Sequence, residues 1–372
     1  MKIATFFTGL LFSLASLSTT QAAKSFSASN LYYAAGLREA QQTTLLEGLQ
    51  SAGVKVLRVW LDGQSENTKG TPIDAFPGLQ GDSPDSWDDT VLNRLDKFMM
   101  KAHSYNIKLL ISIHSYIALE GNRDFYGKWY GTGDFYTNSE AMAHFQDRIK
   151  HVLSHVNSAT GKTWAQSSEY IFAFEAQNEA MHPQGNPTAL ATWQCSMATT
   201  IKTSLKNSSS NIPVSTGGGS YLATSLLDAY FTCPALDILA IHAYGIGDFE
   251  TSKLKTYVDH AKSAGKKLIM QEWANPTTPP GACYHNTPNN KCDGTVPLAT
   301  STRSANIATW ASLIDSAGIP WFYWQILPNA DPHHGWDYEV GIDDVNWEAV
   351  RAAGLAAGKA ESAFDFDEWL LL

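Results

Sequence analysis

The chain has 372 residues, a formal net charge of −10 and 17% charged residues. That length suits one large α/β domain rather than a small sandwich, and the acidic balance argues against nucleic acid and anionic membranes, which demand basic surface. Aromatic residues reach 12% with 12 Trp, enough for a core and for flat platforms that suit a neutral, hydroxyl-rich partner such as an uncharged polysaccharide.

Residues 1–23 read as a secretory signal peptide. Met1-Lys2 gives a positive start, Ile3 to Leu17 is an apolar run broken by small residues, and Thr20-Gln21-Ala22-Ala23 is a small-residue cleavage site. The run falls short of the roughly 20 apolar residues of a membrane span. Trp369-Leu370-Leu371-Leu372 is too short to be an anchor. Residues 24–372 are therefore expected to form a single secreted, extracellular domain with no membrane partner.

From Phe26 onward strand and helix patterns alternate. Short apolar runs predict strands at Phe26–Tyr33, Val54–Trp60, Ile107–His114, Tyr170–Ala176, Ile212–Thr216, Leu236–His242, Lys267–Glu272 and Pro320–Gln325. Val91, Leu92, Leu95, Phe98, Met99 and Ala102 repeat with helical spacing, as do Met142, Phe145, Ile149, Val152, Leu153 and Val156. Further helices are predicted over Glu39–Ala52, Pro187–Leu205, Ser252–Ala264, Ser301–Ala317 and Trp347–Gly358. This alternation predicts a (β/α)8 TIM barrel. A doubly wound sheet is the competitor, but no Gly-rich phosphate turn follows Tyr33, and Gly217-Gly218-Gly219 lacks the GxGxxG spacing. The long connections Leu61–Asp88, Ser115–Ser139, Trp273–Ala299 and Ile326–Asn346 all follow strands. In a barrel that is the active face, so extended loops there predict a groove for an extended substrate.

Four cysteines in an exported chain suggest two disulfides. Cys283 and Cys292 share a Pro/Asn/Gly-rich loop and are placed for a local bridge, which would leave Cys195 with Cys233; the other two connectivities stay open. Asn207-Ser208-Ser209 is a glycosylation sequon.

The residues closing the predicted strands are Arg58 and Trp60, His114 and Tyr116, Asn178 and Glu179, His242 and Tyr244, Glu272, and Trp324. Taken singly, each has a structural explanation. Two carboxyls across a cleft, however, are the minimum kit for cleaving a glycosidic bond. Arg58, His114, Asn178-Glu179, His242-Ala243-Tyr244, Glu272 and Trp324 also stand in the order found at the strand ends of glycoside hydrolase family five, which the chain resembles from about residue 26 to residue 347.

The resemblance implies a retaining endo-β-glycanase that needs no cofactor and acts on a β-linked polysaccharide as a monomer. It implies Glu179 as general acid/base and Glu272 as nucleophile, kept ionised by Arg58 and by a hydrogen bond from Tyr244. It places Asn178 on the sugar 2-hydroxyl, His114 and His242 on sugar hydroxyls and the acid/base, and Trp324 under the sugar. Tyr32-Tyr33 and Arg58-Val59-Trp60 look most like the endo-β-1,4-mannanases of the family. Two segments depart from it: Ala180-Met181-His182 follows Asn178-Glu179 where many relatives have Pro, and Gln271-Glu272-Trp273 stands where many have Glu-Phe-Gly or Glu-Tyr-Gly. The rivals are an endo-β-1,4-glucanase, a transglycosylase on the same residues and, outside enzymes, a carbohydrate-binding inactive barrel.

Trp60, Tyr116, Trp129, Tyr130, Trp273, Trp336 and Tyr338 are candidates for sugar stacking, with Trp129 and Trp336 foremost. His333-His334 with Asp331 and Asp337 could suggest a metal, but the loop lacks a zinc spacing, so no metal is expected.

Overall fold

Apolar runs this short bury both faces only when helices cover them, and they do so here as a closed barrel. A computed structural model describes residues 22–182, 185–274, 299–333 and 338–371. Its barrel strands are β1 Ser27–Asn30, β2 Val56–Trp60, β3 Lys108–Ser112, β4 Ile171–Glu175, β5 Val214–Ser215, β6 Ile238–Ala243, β7 Lys267–Trp273 and β8 Trp321–Tyr323. Neighbouring strands run parallel, and the ring closes by pairing β1 with both β2 and β8. Register brings the polar residues of neighbouring strands side by side: Asn30 beside Arg58, Ser112 beside Glu175 and His242 beside Glu272.

The long helices of the described residues are α1 Glu39–Ser51, α2 Thr90–Ser104, α3 Ser139–Ser154, α4 Pro187–Asn207, α5 Thr251–Ser263, α6 Thr300–Ala317 and α7 Trp347–Ala357. Each buries its apolar stripe on the barrel. Val91, Leu92, Leu95, Phe98, Met99 and Ala102 of α2 are all buried. Local signals set the ends: Asn138 Oδ1 accepts from the Glu140 and Ala141 amides to start α3, and Gly318 at φ 78° closes α6.

Three segments differ from the sequence pattern. The first strand stops at Asn30, so Tyr32 and Tyr33 lie beyond it. The connection after β3 is not an open loop but two short helices, Tyr116–Glu120 and Phe125–Asp134, capped by Ser115 Oγ and Asp124 Oδ1. Between β5 and β6, where no helix was expected, two short helical turns occur at Leu222–Ser225 and Asp228–Thr232. Among the described residues no helix is long and apolar enough to cross a membrane. The predicted signal segment lies outside the described residues save for its last two positions, and Cys283 and Cys292 lie outside them too.

Cys195 of α4 and Cys233 form a disulfide across 38 positions. It ties the helix after β4 to the connection after β5, where Lys266, just before β7, donates to Cys233 O. A loop of this length is worth about 4 kcal/mol against the unfolded chain. Replacing both cysteines by Ala is expected to lower the melting temperature by several degrees while leaving secondary structure intact at room temperature. An unchanged melting temperature by circular dichroism would show the bridge to be idle.

Candidate active site

Arg58 leaves β2 for the barrel interior, where its side chain is fully buried. A guanidinium there must spend its whole fork of N–H donors on acceptors. Nη2 and Nε reach the Glu175 carboxylate, with Nη2 2.5 Å from Oε1, and Nη2 also lies 2.6 Å from Asn178 Oδ1. Nη1 contacts Glu272 Oε1 at 2.7 Å and Asn30 Oδ1 at 3.1 Å. Burial opposes the charge, but Glu175 and Glu272 outweigh it and hold Arg58 ionised. One side chain thus joins the ends of β1, β2, β4 and β7.

Glu272 accepts a second donor on its other oxygen, the Tyr244 hydroxyl, at 2.6 Å. Burial pushes its carboxyl above the usual carboxylate range; His242 and Arg58 pull it back, while Glu179 adds to the rise. Burial and the Glu272 charge push the Tyr244 phenol well up, so it remains a donor.

Glu179 sits differently. Its backbone takes φ 49°, a left-handed conformation unusual for glutamate, and its amide donates to Gly217 O at 2.9 Å. Its side chain is 17% exposed against 4% for Glu272, so it is the carboxyl that faces the cleft. Asn178, just before it, has its Oδ1 fixed on Arg58, which leaves the amide NH2 as the end able to donate to a ligand.

His242 lies between the two carboxyls. Nδ1 is 3.0 Å from Glu179 Oε1 and 3.4 Å from Glu272 Oε2, and Nε2 is 2.9 Å from Gln271 Oε1. Burial disfavours its charge, yet Glu272 and Glu179 outweigh that and raise its pKa. The facing atoms of Glu179, His242 and Glu272 all lie within 4.8 Å of one another. Among the described residues this is the cluster best placed to hold a metal ion, but the Arg58 cation and the Tyr244 hydroxyl already serve the Glu272 oxygens. The triple glycine after β5 makes this packing possible. A Cβ on Gly217 would lie 1.9 Å from Gln177 O, and one on Gly218 (φ 68°) would lie 2.2 Å from the His242 ring.

Beside the carboxyls lies an aromatic floor. Tyr32 and Trp324 are half-buried with rings 5.9 Å apart and 7° from parallel. Trp60 packs behind them, 4.8 Å from Tyr32 and 5.7 Å from Trp324, with Arg58 against its ring. Tyr338 stands 5.0 Å from Tyr244.

Several expected contacts need correction. His114 is fully buried, with Nε2 2.8 Å from Asp124 Oδ2 and Nδ1 2.9 Å from Gln177 Nε2. Both nitrogens are taken, so it holds the loop and the Asn178 backbone (Asn178 N to His114 O, 2.8 Å) instead of sugar hydroxyls. Trp60 is 4% exposed and supports the floor more than it presents a face. Tyr116 and Trp273 are buried core, whereas Trp129 is 53% exposed. Trp336, His334 and Asp337 lie outside the described residues. The sequence pattern missed Glu175, Gln271 and Asn30. The signal for Glu175 was present: it is the one charged residue inside the apolar stretch Ile171-Phe172-Ala173-Phe174-Glu175-Ala176, and a buried acid needs a cation partner.

A family model described as Cellulase (glycosyl hydrolase family 5) matches residues 17–330. Mannan endo-1,4-beta-mannosidase 1 of Arabidopsis thaliana is 29% identical over 167 residues, 43% of this chain and 37% of that protein. Mannan endo-1,4-beta-mannosidase F of Aspergillus fumigatus is 27% identical over 282 residues, 67% of this chain and 60% of that one. The chain thus spans less than two thirds of the length of either relative. The solved endo-1,4-beta-mannanase from Rhizomucor miehei shares the fold, with a TM-score of 0.68 at 20% identity over 90% of this chain and 95% of that one. With the family model covering most of its length, the chain belongs to glycosyl hydrolase family 5.

Proposed function

We propose that the protein is a secreted, retaining endo-β-1,4-mannanase, with Glu179 as acid/base and Glu272 as nucleophile. The spacing of the two carboxyls carries the mechanistic part. Their facing oxygens lie within 4.8 Å, on the short side of the roughly 5–5.5 Å typical of retaining enzymes and well under the roughly 6.5–9.5 Å that admits a water in inverting ones. Glu272 attacks the anomeric carbon while Glu179 protonates the departing glycosidic oxygen. The covalent glycosyl-enzyme is then hydrolysed by water that gives its proton to Glu179, and Glu272 leaves as carboxylate.

The asymmetry of the site supports this division of labour. Arg58 and Tyr244 each occupy one oxygen of Glu272, stabilising it as an anion on departure. The more exposed Glu179 can reach a glycosidic oxygen and a water. The Asn178 amide is placed to donate to a sugar 2-hydroxyl, and Trp324 with Tyr32 offers a stacking face. Mannan as the backbone is supported by the named activities of the relatives and by Tyr32-Tyr33 and Arg58-Val59-Trp60. Secretion is supported by the leader pattern of residues 1–23.

Glu179→Gln and Glu272→Gln are each expected to lower kcat on polysaccharide by about 10²–10⁴-fold or more, with the fold retained by circular dichroism. Near-normal turnover in either variant would refute the assignment. With azide, Glu272→Gly acting on an activated aryl glycoside should yield a glycosyl azide of inverted configuration; no azide product would count against Glu272 as nucleophile. A panel of mannan, galactomannan, glucan, xyloglucan and galactan with product sizing should show mannan cut internally, and release from glucan alone would replace mannan as the substrate.

The pH profile tests the anion-holding role. Activity requires Glu272 ionised, and its carboxyl lies above the usual range, so activity is lost as pH falls through that raised value. Tyr244→Phe removes a hydrogen bond that favours the anion and should move the acid limb of kcat/KM to higher pH, with a loss of about tenfold or more. An acid limb that stays put or moves down would contradict this role.

A further inference from the structure

The Gln271 amide is fully buried and takes no direct part in the chemistry above. Its Nε2 donates to Glu175 Oε2 at 2.6 Å, and its Oε1 lies 2.9 Å from His242 Nε2. Only one orientation of the amide is tolerable. Turned over, its carbonyl would lie against the Glu175 carboxylate, and Glu175 cannot yield because Arg58 grips its other oxygen at 2.5 Å. Gln271 Oε1 can only accept a hydrogen bond, so His242 must carry a proton on Nε2. The ring cannot turn away, because the Gly218 backbone lies against it so closely that a Cβ would stand 2.2 Å from Cδ2.

This fixes what Nδ1 does. Protonated on Nε2 alone, His242 would aim a lone pair at Glu179 Oε1 and Glu272 Oε2, 3.0 and 3.4 Å away. With both carboxyls ionised that geometry is repulsive, and one further proton in the Nδ1···Oε1 contact relieves it. The groups facing the ring agree in sign. Glu179 and Glu272 come from the ends of β4 and β7, Tyr244 adds a neutral phenol, and Glu175 acts through Gln271. Arg58 alone opposes, from β2. After β5, the backbone of Gly218 lies against the ring.

We infer that Gln271 and Glu175 are positioning residues that lock the Nε2–H tautomer of His242 and so retain the acid/base proton on the Glu179–His242 pair while Glu272 is ionised. The inference rests on Glu179 being the acid/base. Without the lock, the imidazole can shift its single proton to Nδ1 and donate it to the carboxylates. The deprotonated pair is then stabilised, and the catalytic proton is lost at lower pH. The triple glycine thereby has a purpose that dinucleotide binding did not give it: it admits the ring in the one orientation the lock requires.

Gln271→Met keeps the size of the side chain and removes the acceptor. It should move the alkaline limb of kcat/KM down by about one pH unit. The loss in kcat should be large with polysaccharide and small with a 2,4-dinitrophenyl glycoside, whose leaving group departs without a proton. Gln271→Glu, held protonated by the adjacent Glu175 carboxylate, keeps both the donor and the acceptor and should restore the alkaline limb. An unmoved limb with equal losses on both substrates would overturn the inference and leave Gln271 a packing residue. Should the Met variant fail to fold, ¹⁵N shifts of histidine-labelled wild-type protein decide the matter: a protonated Nε2 on His242 is expected, and an unprotonated Nε2 overturns the inference. If Glu179→Gln kept its activity, the acid/base assignment itself would have failed, which is a distinct outcome.

Discussion

A guanidinium buried inside a barrel dictates the arrangement of everything near it. Arg58 is cut off from water and has two carboxylates, Glu175 and Glu272, and two amide oxygens, Asn30 and Asn178, arrayed around it. Removing one partner of such a buried pair typically costs about 3–5 kcal/mol, because the remaining charge is stranded. The geometry is therefore strongly held. It fixes Glu272 from β7 and Asn178 after β4 relative to one another, and with them the short spacing on which a double displacement depends. Glu175 serves as the anchor: its carboxylate accepts from both Nε and Nη2 of Arg58 and keeps the buried cation paired independently of Glu272.

The two catalytic candidates have the same side chain and differ through their surroundings. Glu272 is enclosed, with donors on both oxygens. Glu179 stands at a left-handed backbone turn that packs against Gly217, where a Cβ would strike Gln177 O. His242 bridges them and, through Gln271 and Glu175, is tied back to the same guanidinium. A single buried network thus joins both carboxyls, Glu272 directly through Arg58 and Glu179 through His242, Gln271 and Glu175.

The barrel was legible in the sequence because buried strands and amphipathic helices leave a periodic apolar signal. The meeting of Glu179 with Glu272 was legible because polar residues closed those strands. The remainder was hidden for physical reasons. Glu175 lies within an apolar run, and only pairing it with Arg58 across the barrel gives it meaning. His114 has the residue type and position of a ligand contact, but its depth is decided by Asp124 and Gln177, which take both its nitrogens. Trp273 has the residue type of a stacking platform, but β7 turns it to the core, where it packs on Phe249, Trp321 and Tyr323. Strict alternation could not show this, because the register with β6 shifts at Gln271 and both Gln271 and Glu272 face the interior. The helices after β3 were masked by Gly and Asp residues whose capping role shows only once the chain is folded.

A nucleophilic Glu272 requires that the bond be cleaved with two displacements at one carbon. Proton NMR of the reducing-end anomers in the first minutes of hydrolysis of a β-1,4-manno-oligosaccharide measures this directly, before mutarotation mixes them. Two inversions at the anomeric carbon predict that the β-anomer appears first and the α-anomer grows in later. Initial release of the α-anomer would mean a single displacement by water, and would contradict a nucleophilic Glu272 held by Arg58 and Tyr244.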